Sequence, residues 1–281
     1  MILIADGGST KVDWCLIDKG EIVERIYTSG ANPFFRNTED ISLELSVKLA
    51  PKLKGYDIEA IYFYGAGCAF PEKNNIIKEA IYENFKVDNI QVGSDLLGAA
   101  IGLCGSSAGI ACILGTGSNS CFYDGSKIVQ NVSPLGFILG DEGSGAVLGK
   151  LFVGACLKNQ FNDEIKKNFL EYLNMDVAQI LDRVYKQPLP NRFLASIAPF
   201  IKENIDNPAV HALIFNAFTD FFKKNIMQYD YEQYAVCFIG SVAHHFKDVL
   251  EEAAHALNIK IGKVEQSPML GMVEYFANKR V

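Results

Sequence analysis

Apolar residues recur along the chain in short runs separated by turn residues, and this pattern predicts an α/β fold. Three runs typical of β-strands come first, ILIAD, VDWCLID and EIVERIYT, and the DKG between the last two predicts a hairpin turn. Helical patterns at residues 40–53 and 71–85 then alternate with the strand patterns AIYFYGAG and NIQVGSD, and LLGAAIGL predicts a further helix. The first part of the chain is therefore expected to have the order β-β-β-α-β-α-β-α.

A second set of elements follows the small, flexible segment CGSSAG and repeats the opening pattern. The stretch ILGTGSNSCFYDGSKIVQN matches LIADGGSTKVDWCLIDKGEIVER in pattern, because each predicts a strand, a glycine and hydroxyl turn, a strand, a short turn and a strand. Such a repeat indicates a duplicated architecture when a second feature supports it. Helical patterns then lead to the strand AVCFIG, the helix SVAHHFKDVLEEAAHALN, the strand KIGKVEQS and the helix PMLGMVEYFANK.

Length, charge and cysteine placement narrow the class of protein. A chain of 281 residues suits two domains, and a net charge of −7 argues against a nucleic-acid partner but not against one small polyphosphate. Seven cysteines lie mostly in apolar runs without a metal-binding spacing, which is typical of reduced thiols. No signal-peptide core precedes Asp6, and no apolar run approaches the ~20 residues of a membrane span. We therefore expect a cytoplasmic protein with no membrane partner.

Two glycine turns carry the first candidate chemistry. DGGST (residues 6–10) and LGTGSNS (residues 114–120) combine glycines, which let backbone N–H groups approach a phosphate, with hydroxyl donors. The carboxylate of Asp6 can hold a hydrated Mg²⁺. Each turn taken alone is explained by an ordinary glycine-rich hairpin. Two such turns, each entering a strand and each opening a half of the chain, favour a clamp on a triphosphate.

Two strand-to-helix junctions carry the next candidates. In FIGSVAHHF a buried strand ends at Gly240 and a helix begins near Ser241, which allows a flat nucleoside to lie close; a plain turn with a serine N-cap is the alternative. In GSDLLGAA, Asp95 follows a strand and begins a helix. Its carboxylate is either a helix N-cap or a general base that takes the proton from an attacking hydroxyl.

The stretch SPLGFILGDEGSGAVLGK places two acids among glycines just before a helix. Carboxylates there can accept hydrogen bonds from sugar hydroxyls, although acids are also favoured at a helix start by the helix dipole. The four histidines form no HExxH motif, and no GxSxG nucleophile motif occurs. We expect these histidines to be solvated or to cap helices.

These motifs together resemble one superfamily. DGGSTKVDW, LGTGSNS and FIGSVAHHF are similar to the phosphate-1, phosphate-2 and adenosine motifs of the actin-like ATPases, and SDLLGAA and SPMLGMVEYF to their two connecting helices. The run from SDLLGAA through LGTGSNS to GDEGS resembles N-acetylglucosamine kinase and the wider BadF/BadG/BcrA/BcrD-type ATPase family. The resemblance covers nearly the whole chain. It implies an α/β fold of two ribonuclease-H-like domains with mixed five-stranded sheets and an interdomain nucleotide cleft, with limits 1–107 plus the C-terminal helix 268–281, and 108–267.

The resemblance also implies an activity and a set of site residues. The activity is ATP-dependent phosphorylation of a small amino sugar, with ATP and Mg²⁺ as cofactors. The first candidate substrate is N-acetylglucosamine, and the product would be its 6-phosphate. Asp95 would be the catalytic base on the sugar 6-hydroxyl, and Asp6 would hold Mg²⁺ through water. The positions implied for phosphate are Gly7, Gly8, Ser9, Thr10, Lys11, Gly115, Thr116 and Gly117; for adenosine, Gly240 and Ser241; for the sugar, Asn32, Asn119, Leu135, Gly136 and Asp141.

Alternatives remain open at this point. Leu135 and Phe137 stand where the vertebrate kinases of the family carry an aromatic residue and a histidine, so glucosamine and N-acetylmuramate are further candidate substrates. A BadF-type reductase activase would need cysteines that bridge subunits, and the cysteines here form no recognised cluster pattern. A sugar-sensing regulator would be expected to add a helix-turn-helix segment, which is not seen. The sequence leaves open a homodimer and whether Cys68 lines the sugar pocket.

Overall fold

The computed structural model describes residues 1–8 and 10–279, and over these residues it is an α/β protein built on two five-stranded sheets. The strands are β1 (Ile2–Gly7), β2 (Lys11–Asp18), β3 (Glu21–Ser29), β4 (Ala60–Gly65), β5 (Ile90–Ser94), β6 (Gly109–Leu114), β7 (Ser118–Tyr123), β8 (Ile128–Val132), β9 (Val236–Ile239) and β10 (Ile261–Glu265). The helices are α1 (Thr38–Lys48), α2 (Pro71–Phe85), α3 (Asp95–Cys104), α4 (Gly136–Leu139), α5 (Gly145–Leu157), α6 (Asp163–Leu173), α7 (Val177–Tyr185), α8 (Pro190–Ala195), α9 (Ala198–Glu203), α10 (Pro208–Lys224), α11 (Ser241–His245), α12 (Lys247–Ala256) and α13 (Met269–Asn278). Short 3₁₀ helices lie at Ala50–Leu53 and Ile226–Gln228.

Packing divides the described chain into two compact units. Unit 1 contains Met1–Ala108, Tyr123–Ile128 and the described residues from Ser267 onwards, and unit 2 contains Gly109–Phe122 and Val129–Gln266. The domain limits 1–107 with 268–281, and 108–267, stay a prediction. Across the described residues, no helix is both long enough and apolar enough to cross a bilayer.

The sheet of unit 1 has the strand order β3-β2-β1-β4-β5. Its first three strands pair antiparallel, and the expected DKG hairpin between β2 and β3 has positive φ angles at both Lys19 and Gly20, which matches the twist of a two-residue hairpin turn. β4 and β5 add in parallel to β1. Trp14 of β2 and Phe63 of β4 pack against each other in the hydrophobic core on one face of this sheet, with their ring centroids 5.7 Å apart.

Parallel pairing places the candidate acids of unit 1 at one edge of its sheet. Gly7 at the end of β1 pairs with Gly65 at the end of β4, and Gly65 pairs with Ser94 at the end of β5. The carboxyl ends of parallel strands meet at one edge, which is where ligands bind in open α/β sheets. Asp6 and Asp95 are therefore brought to the same edge, although 88 residues separate them in the sequence.

Helices α3 and α13 cross at glycines on the same side of unit 1. A Cβ on Gly271 would overlap the backbone of Gly102, and a Cβ on Gly102 would lie 2.7 Å from the Cβ of Pro268. Only glycine at both positions lets the two backbones approach this closely. The crossing fixes the start of α13, and with it Ser267, beside the sheet edge.

The sheet of unit 2 has the order β10-β9-β6-β7-β8, with β9 parallel to both β6 and β10. Residues of helices α5, α10 and α12 share one buried hydrophobic core with β6 and β9. The core is rich in aromatic rings, and Phe238 of β9 packs against both Phe221 and Phe222 with ring centroids 6.0 Å away in each case. This core supports the strand ends at Leu114 and Ile239, where two of the candidate turns begin.

The structure differs from the expected elements in two places. The helix expected at residues 40–53 ends at Lys48 and continues as a 3₁₀ turn, because Pro51 has no N–H to donate to the helix ladder. The helix expected over SVAHHFKDVLEEAAHALN breaks into α11 and α12 at Phe246, whose side chain is 1% exposed and packs on Phe218. Burial of this ring outweighs the local helical pattern.

Candidate functional site

A cluster of carboxylates lies at the strand edge of unit 1. Asp6 lies directly across from Asp13 in the β1–β2 pairing. Burial, followed by the charges of Asp13 and Asp95, raises the pKa of Asp6 to about 7, while a side-chain hydrogen bond from Ser267 and the charge of Lys11 lower it. Concentrated negative charge of this kind favours binding of a cation.

The residues around Asp6 fit a magnesium ion held largely by water and phosphate. Among the residues that the structure describes, no group of three or more His, Cys, Asp or Glu side chains forms a metal site. Mg²⁺ commonly binds through one or two carboxylates together with substrate phosphates and several waters. A half-buried carboxylate with a raised pKa, next to a glycine turn suited to phosphate, matches that mode of binding.

Asp13 is a site residue that the sequence analysis missed. Its side chain is buried, and Arg25 donates to both of its oxygens, Nε to Oδ1 at 3.0 Å and Nη2 to Oδ2 at 2.6 Å. A two-point pair of this kind fixes the position of the Asp13 carboxylate beside Asp6. The signal was available in the sequence, because Asp13 interrupts the apolar run VDWCLID at a position that a strand within a core would bury.

The carboxylate of Asp95 is not needed as the N-cap of α3, because Ser94 fills that role. The Oγ of Ser94 accepts the hydrogen bond from the Leu97 N–H at 3.2 Å, so the N-cap of α3 is Ser94, and the interpretation of Asp95 as the N-cap is wrong. Burial raises the pKa of Asp95, opposed by a hydrogen bond from the N–H of Leu96 at 2.9 Å. A carboxylate with a raised pKa at a strand edge is suited to accept a proton.

Cys68 lies close enough to Asp95 for the two groups to influence each other. The thiol is buried, and burial together with the Asp95 charge raises its pKa to about 12. Cys68 is therefore a neutral thiol beside the candidate base. The structure thus places the thiol within electrostatic range of Asp95, while the buried side chain belongs to the hydrophobic core of unit 1.

The phosphate-1 turn has the closed geometry of a tight glycine hairpin. The N–H of Gly8 donates to the carbonyl of Lys11 at 2.9 Å, and a Cβ on Gly7 would lie 2.6 Å from the Phe63 ring. Thr10 and Lys11 are exposed at the turn. Ser9, also expected to bind phosphate, lies outside the described residues.

In unit 2 the phosphate-2 turn and the adenosine turn meet. Gly115 donates to the carbonyl of Gly117 at 2.9 Å, which closes the first turn. Gly240 has φ +116°, and a Cβ there would overlap the carbonyl oxygen of Leu114, at the end of the strand that leads into Gly115. Only glycine permits this approach. The two motifs thus form one surface, although Gly115 and Gly240 are 125 positions apart in the sequence.

That surface opens into a cavity of about 550 Å³ in unit 2, whose lining includes Gly115, Thr116 and Ser241. A volume of this size is in the usual range for small-molecule pockets. Much of its wall is apolar, from Pro199, Val242 and Phe246 among others. The cavity therefore has the size and character to hold a nucleoside.

Lys202 and His245 also line this cavity, and the sequence analysis missed both. Lys202 Nζ lies 5.8 Å from the Phe246 ring centroid, and the exposed His245 packs its ring against His244. His245 is exposed, as expected for the histidines, but its place on the cavity was not anticipated. Lys202 belongs to α9 and His245 to α11, and nothing in the local pattern of either helix indicates that the two residues line one cavity.

Besides Asn119, which belongs to the phosphate-2 stretch, three expected sugar positions lie near that turn in unit 2. Asp141 has φ +52°, and its Oδ2 would be 3.0 Å from a Cβ on Gly117. Burial raises its pKa to about 6, helped by the charge of Glu142 and opposed by the backbone N–H groups of Ser118 and Gly136. The structure thus brings Asp141 and Gly136 together. Leu135, in the left-handed region with φ 61°, is 61% exposed beside them.

The two asparagines expected to bind sugar are differently placed. Asn119 Oδ1 accepts from the N–H of Ser120 at 2.9 Å and from Nδ2 of Asn131 at 3.0 Å, so its amide orientation is fixed. Asn32, in unit 1, accepts from the N–H of Phe34 at 3.0 Å and lies against Gly67. Both side chains are partly exposed and present polar atoms at strand ends.

Two mixed sheets, each with a glycine turn between strands, place this chain in the class of actin-like ATPase folds that includes the sugar kinases. A solved structure from Porphyromonas gingivalis, described as a "putative N-acetylglucosamine kinase", is 47% identical over 100% of both chains with a TM-score of 0.96. The chain belongs to this N-acetylglucosamine kinase family. The resemblance and the fold class expected from the sequence are confirmed.

More distant structures share the fold. A protein from Chromobacterium violaceum with the same description is 16% identical over 98% of each chain, with a TM-score of 0.76. A ROK family glucokinase from Streptomyces griseus, solved with glucose and AMPPNP, is 14% identical over 97% of each chain, with a TM-score of 0.58. No family model matches the chain, and no curated protein matches it significantly.

Proposed function

We propose that this protein is an ATP-dependent kinase that transfers the γ-phosphoryl group of ATP to an amino sugar, N-acetylglucosamine being the first candidate and its 6-phosphate the product. The observation that carries the proposal is the pair Asp6 and Asp95, two partly buried carboxylates at one strand edge beside a glycine turn. Membership of a family whose Porphyromonas gingivalis member is described as a "putative N-acetylglucosamine kinase" supports the choice of substrate.

Asp95 is the proposed general base. The 6-hydroxyl oxygen of the sugar forms a bond to the γ-phosphorus, the bond from that phosphorus to the β,γ-bridging oxygen breaks, and the hydroxyl proton passes to Asp95. The raised pKa of Asp95 makes the protonated product more favourable than it would be for an exposed aspartate. Phosphoryl transfer otherwise depends mainly on position and charge neutralisation, which the surrounding residues supply.

Asp6 is proposed to hold Mg²⁺ through water, and that ion would neutralise charge on the phosphates when it is bound. The backbone of the phosphate-1 turn at Gly7 and Gly8, with the side chains of Thr10 and Lys11, is proposed to contact phosphate. Ser9 keeps the same proposed role from the sequence.

Unit 2 is proposed to bind the nucleoside. Gly240 and Ser241 would flank the adenosine in the cavity, with Pro199, Val242 and Phe246 supplying apolar walls for a flat base. Gly115 and Thr116, which line the cavity, and the adjoining Gly117 are the proposed phosphate-2 contacts. The cavity and this turn are adjacent, which is the arrangement that one nucleotide requires.

The sugar is proposed to bind through hydrogen bonds to its hydroxyl groups. Asp141, whose carboxylate lies beside the phosphate-2 turn, is the main proposed acceptor, with Asn119 and Gly136 near it and Asn32 in unit 1. The exposed side chain of Leu135 offers an apolar contact. Glucosamine and N-acetylmuramate stay alternative substrates for the same reaction.

A screen of ADP release tests the proposal. Purified protein with Mg·ATP is presented with N-acetylglucosamine, glucosamine, N-acetylmuramate, N-acetylmannosamine and glucose, and the phosphorylated product is identified by mass and NMR spectroscopy. We expect sugar-dependent ADP release with N-acetylglucosamine and phosphate on oxygen 6. ADP release that is independent of sugar would favour a reductase activase, and no release with any sugar would contradict the kinase proposal.

A further inference from the structure

Two cations lie over one exposed aromatic ring beside the phosphate-1 turn. Tyr27 on β3 is 51% exposed, and its ring centroid is 5.2 Å from Lys11 Nζ and 5.7 Å from the guanidinium carbon of Arg25. Both distances are within the ~6 Å over which a ring face attracts a cation. The ring therefore interacts with a lysine that ends the turn.

Strand register explains why these groups meet. Asp6 of β1 lies opposite Asp13 of β2, and Asp13 lies opposite Tyr27 of β3, so the three side chains form a row on one face of the sheet. Lys11 is two residues before Asp13 and shares that face. Its charge acts on Asp6 at one end of the row, while the ring of Tyr27 lies against its ammonium group.

The ring has different consequences for the two cations. Arg25 is already oriented by its two hydrogen bonds to Asp13. Lys11 has no ion-pair partner among residues 1–8 and 10–279, and its side chain has four rotatable bonds whose freedom is lost when it binds phosphate. An aromatic contact that restricts this side chain beforehand reduces the cost of binding.

We propose that Tyr27 is a positioning residue that holds the Lys11 ammonium at the phosphate-1 turn for the phosphates of the nucleotide. The inference rests on the proposed function in that Lys11 is taken as a phosphate contact, but it concerns nucleotide binding and not the sugar. Tyr27 itself touches neither substrate. Its effect should therefore be confined to ligands that carry phosphate.

The test measures binding of Mg·AMPPNP and of adenosine by titration calorimetry to the full chain. Tyr27→Ile removes the ring and introduces a β-branched side chain, which also suits an edge strand, whereas Tyr27→Phe keeps the ring. We expect Tyr27→Ile to weaken AMPPNP binding about two- to fivefold, the size of an exposed cation–π contact, with adenosine unchanged and Tyr27→Phe close to the parent protein. Tyr27→Leu is a second ring-deleting variant should Tyr27→Ile unfold at the assay temperature.

Two controls separate this role from others. Tyr82→Leu removes a ring of similar exposure, 45%, on α2, whose partner Lys86 at the C-cap of that helix lies 5.1 Å away, and it should leave the binding of both ligands unaffected. In a double-mutant cycle, Tyr27→Ile should cost nothing further once Lys11→Met is present. A persistent loss in that background would show that the ring acts through Arg25 and Asp13, and would overturn the proposal.

Other results overturn it directly: parent-like AMPPNP binding in Tyr27→Ile, or an equal loss of adenosine binding. These outcomes are distinct from failure of the proposed function. A parent protein that binds AMPPNP but phosphorylates no sugar would refute the kinase proposal and leave the Tyr27 measurement intact, whereas normal phosphorylation with no effect of Tyr27→Ile would refute only the role of Tyr27.

Discussion

Gly240 lies against the carbonyl oxygen of Leu114 at a distance that no other amino acid could tolerate. This contact joins the end of β9 to the end of β6 and brings Ser241 and Gly115 to one cavity. A backbone contact between two strand ends thus creates the candidate nucleoside site.

Replacement of Gly240 by alanine should reduce both stability and nucleoside binding. The new Cβ would overlap the Leu114 carbonyl, and the alanine backbone would have to adopt φ +116°. We therefore expect a loss of roughly 2–4 kcal/mol in the free energy of unfolding. Chemical denaturation and adenosine titration measure the two effects.

The matched control is Gly154→Ala, at an exposed position inside α5 where a Cβ would meet nothing within 4 Å. Because alanine is the better helix former, this variant should gain about 0.5–1 kcal/mol and bind adenosine normally. Equal stability of the two variants would contradict the steric account of Gly240.

Asp95→Asn should lower turnover by orders of magnitude and leave nucleotide binding largely intact. Asparagine keeps the shape of the side chain but cannot accept the hydroxyl proton, and loss of a general base typically lowers the rate by ~10²–10⁴-fold. Steady-state kinetics with Mg·ATP and N-acetylglucosamine, together with AMPPNP titration, measure the two properties.

Asp40→Asn is the control for Asp95→Asn, because Asp40 is also an acid in the first turn of a helix but is exposed. It should keep parent-like turnover. Full sugar-dependent turnover in Asp95→Asn would remove Asp95 from the mechanism.

Asp6→Asn and Asp13→Asn should change stability in opposite directions although the two residues face each other across β1 and β2. At pH 8, above its pKa of about 7, Asp6 is a charge that burial and two neighbouring acids disfavour. Its removal should stabilise the fold by about 1–2 kcal/mol and should raise the Mg²⁺ concentration needed for half-maximal activity.

Asp13→Asn, in contrast, leaves Arg25 without its carboxylate partner, so we expect a loss of about 1–3 kcal/mol. Thermal and denaturant unfolding of both variants at pH 8, with a Mg²⁺ titration of activity, check the pair. A loss of stability in Asp6→Asn would show that its carboxylate is structural.

The stability of the protein should depend on pH through Asp141. Its pKa is raised from 3.8 to about 6 in the folded protein, so between these values the folded state binds more protons than the unfolded state. This group therefore contributes a stability that is full below about pH 4 and is lost as the pH rises through about 6.

Asp141→Asn should remove that contribution to the pH dependence. The variant should be more stable than the parent at pH 7 by about 1–2 kcal/mol, allowing for solvent screening, with the difference vanishing towards pH 4. Denaturant unfolding at a series of pH values measures the difference, and a gap that does not change with pH would contradict the assignment to Asp141.

Much of this protein was predictable from short stretches of its sequence, since strand runs, the DKG hairpin and the glycine turns depend on local chemistry. Their assembly as two five-stranded sheets was expected from the family resemblance and is confirmed by the fold. Local pattern failed where a neighbour or the core competed for a residue, as when Ser94 took the N-cap of α3 and burial of Phe246 divided a helix.

By itself, the sequence determined which residues could carry chemistry, because residue type sets charge, hydroxyl and backbone freedom. Only the tertiary structure decided which of them meet. Ser267 reaches Asp6 from 261 positions further along the chain. Lys202 and His245, from separate helices, line the same cavity as Gly115 and Thr116 of the phosphate-2 turn. Burial and neighbouring charge, which raise the pKa values of Asp6 and Asp141, exist only after these distant segments pack together.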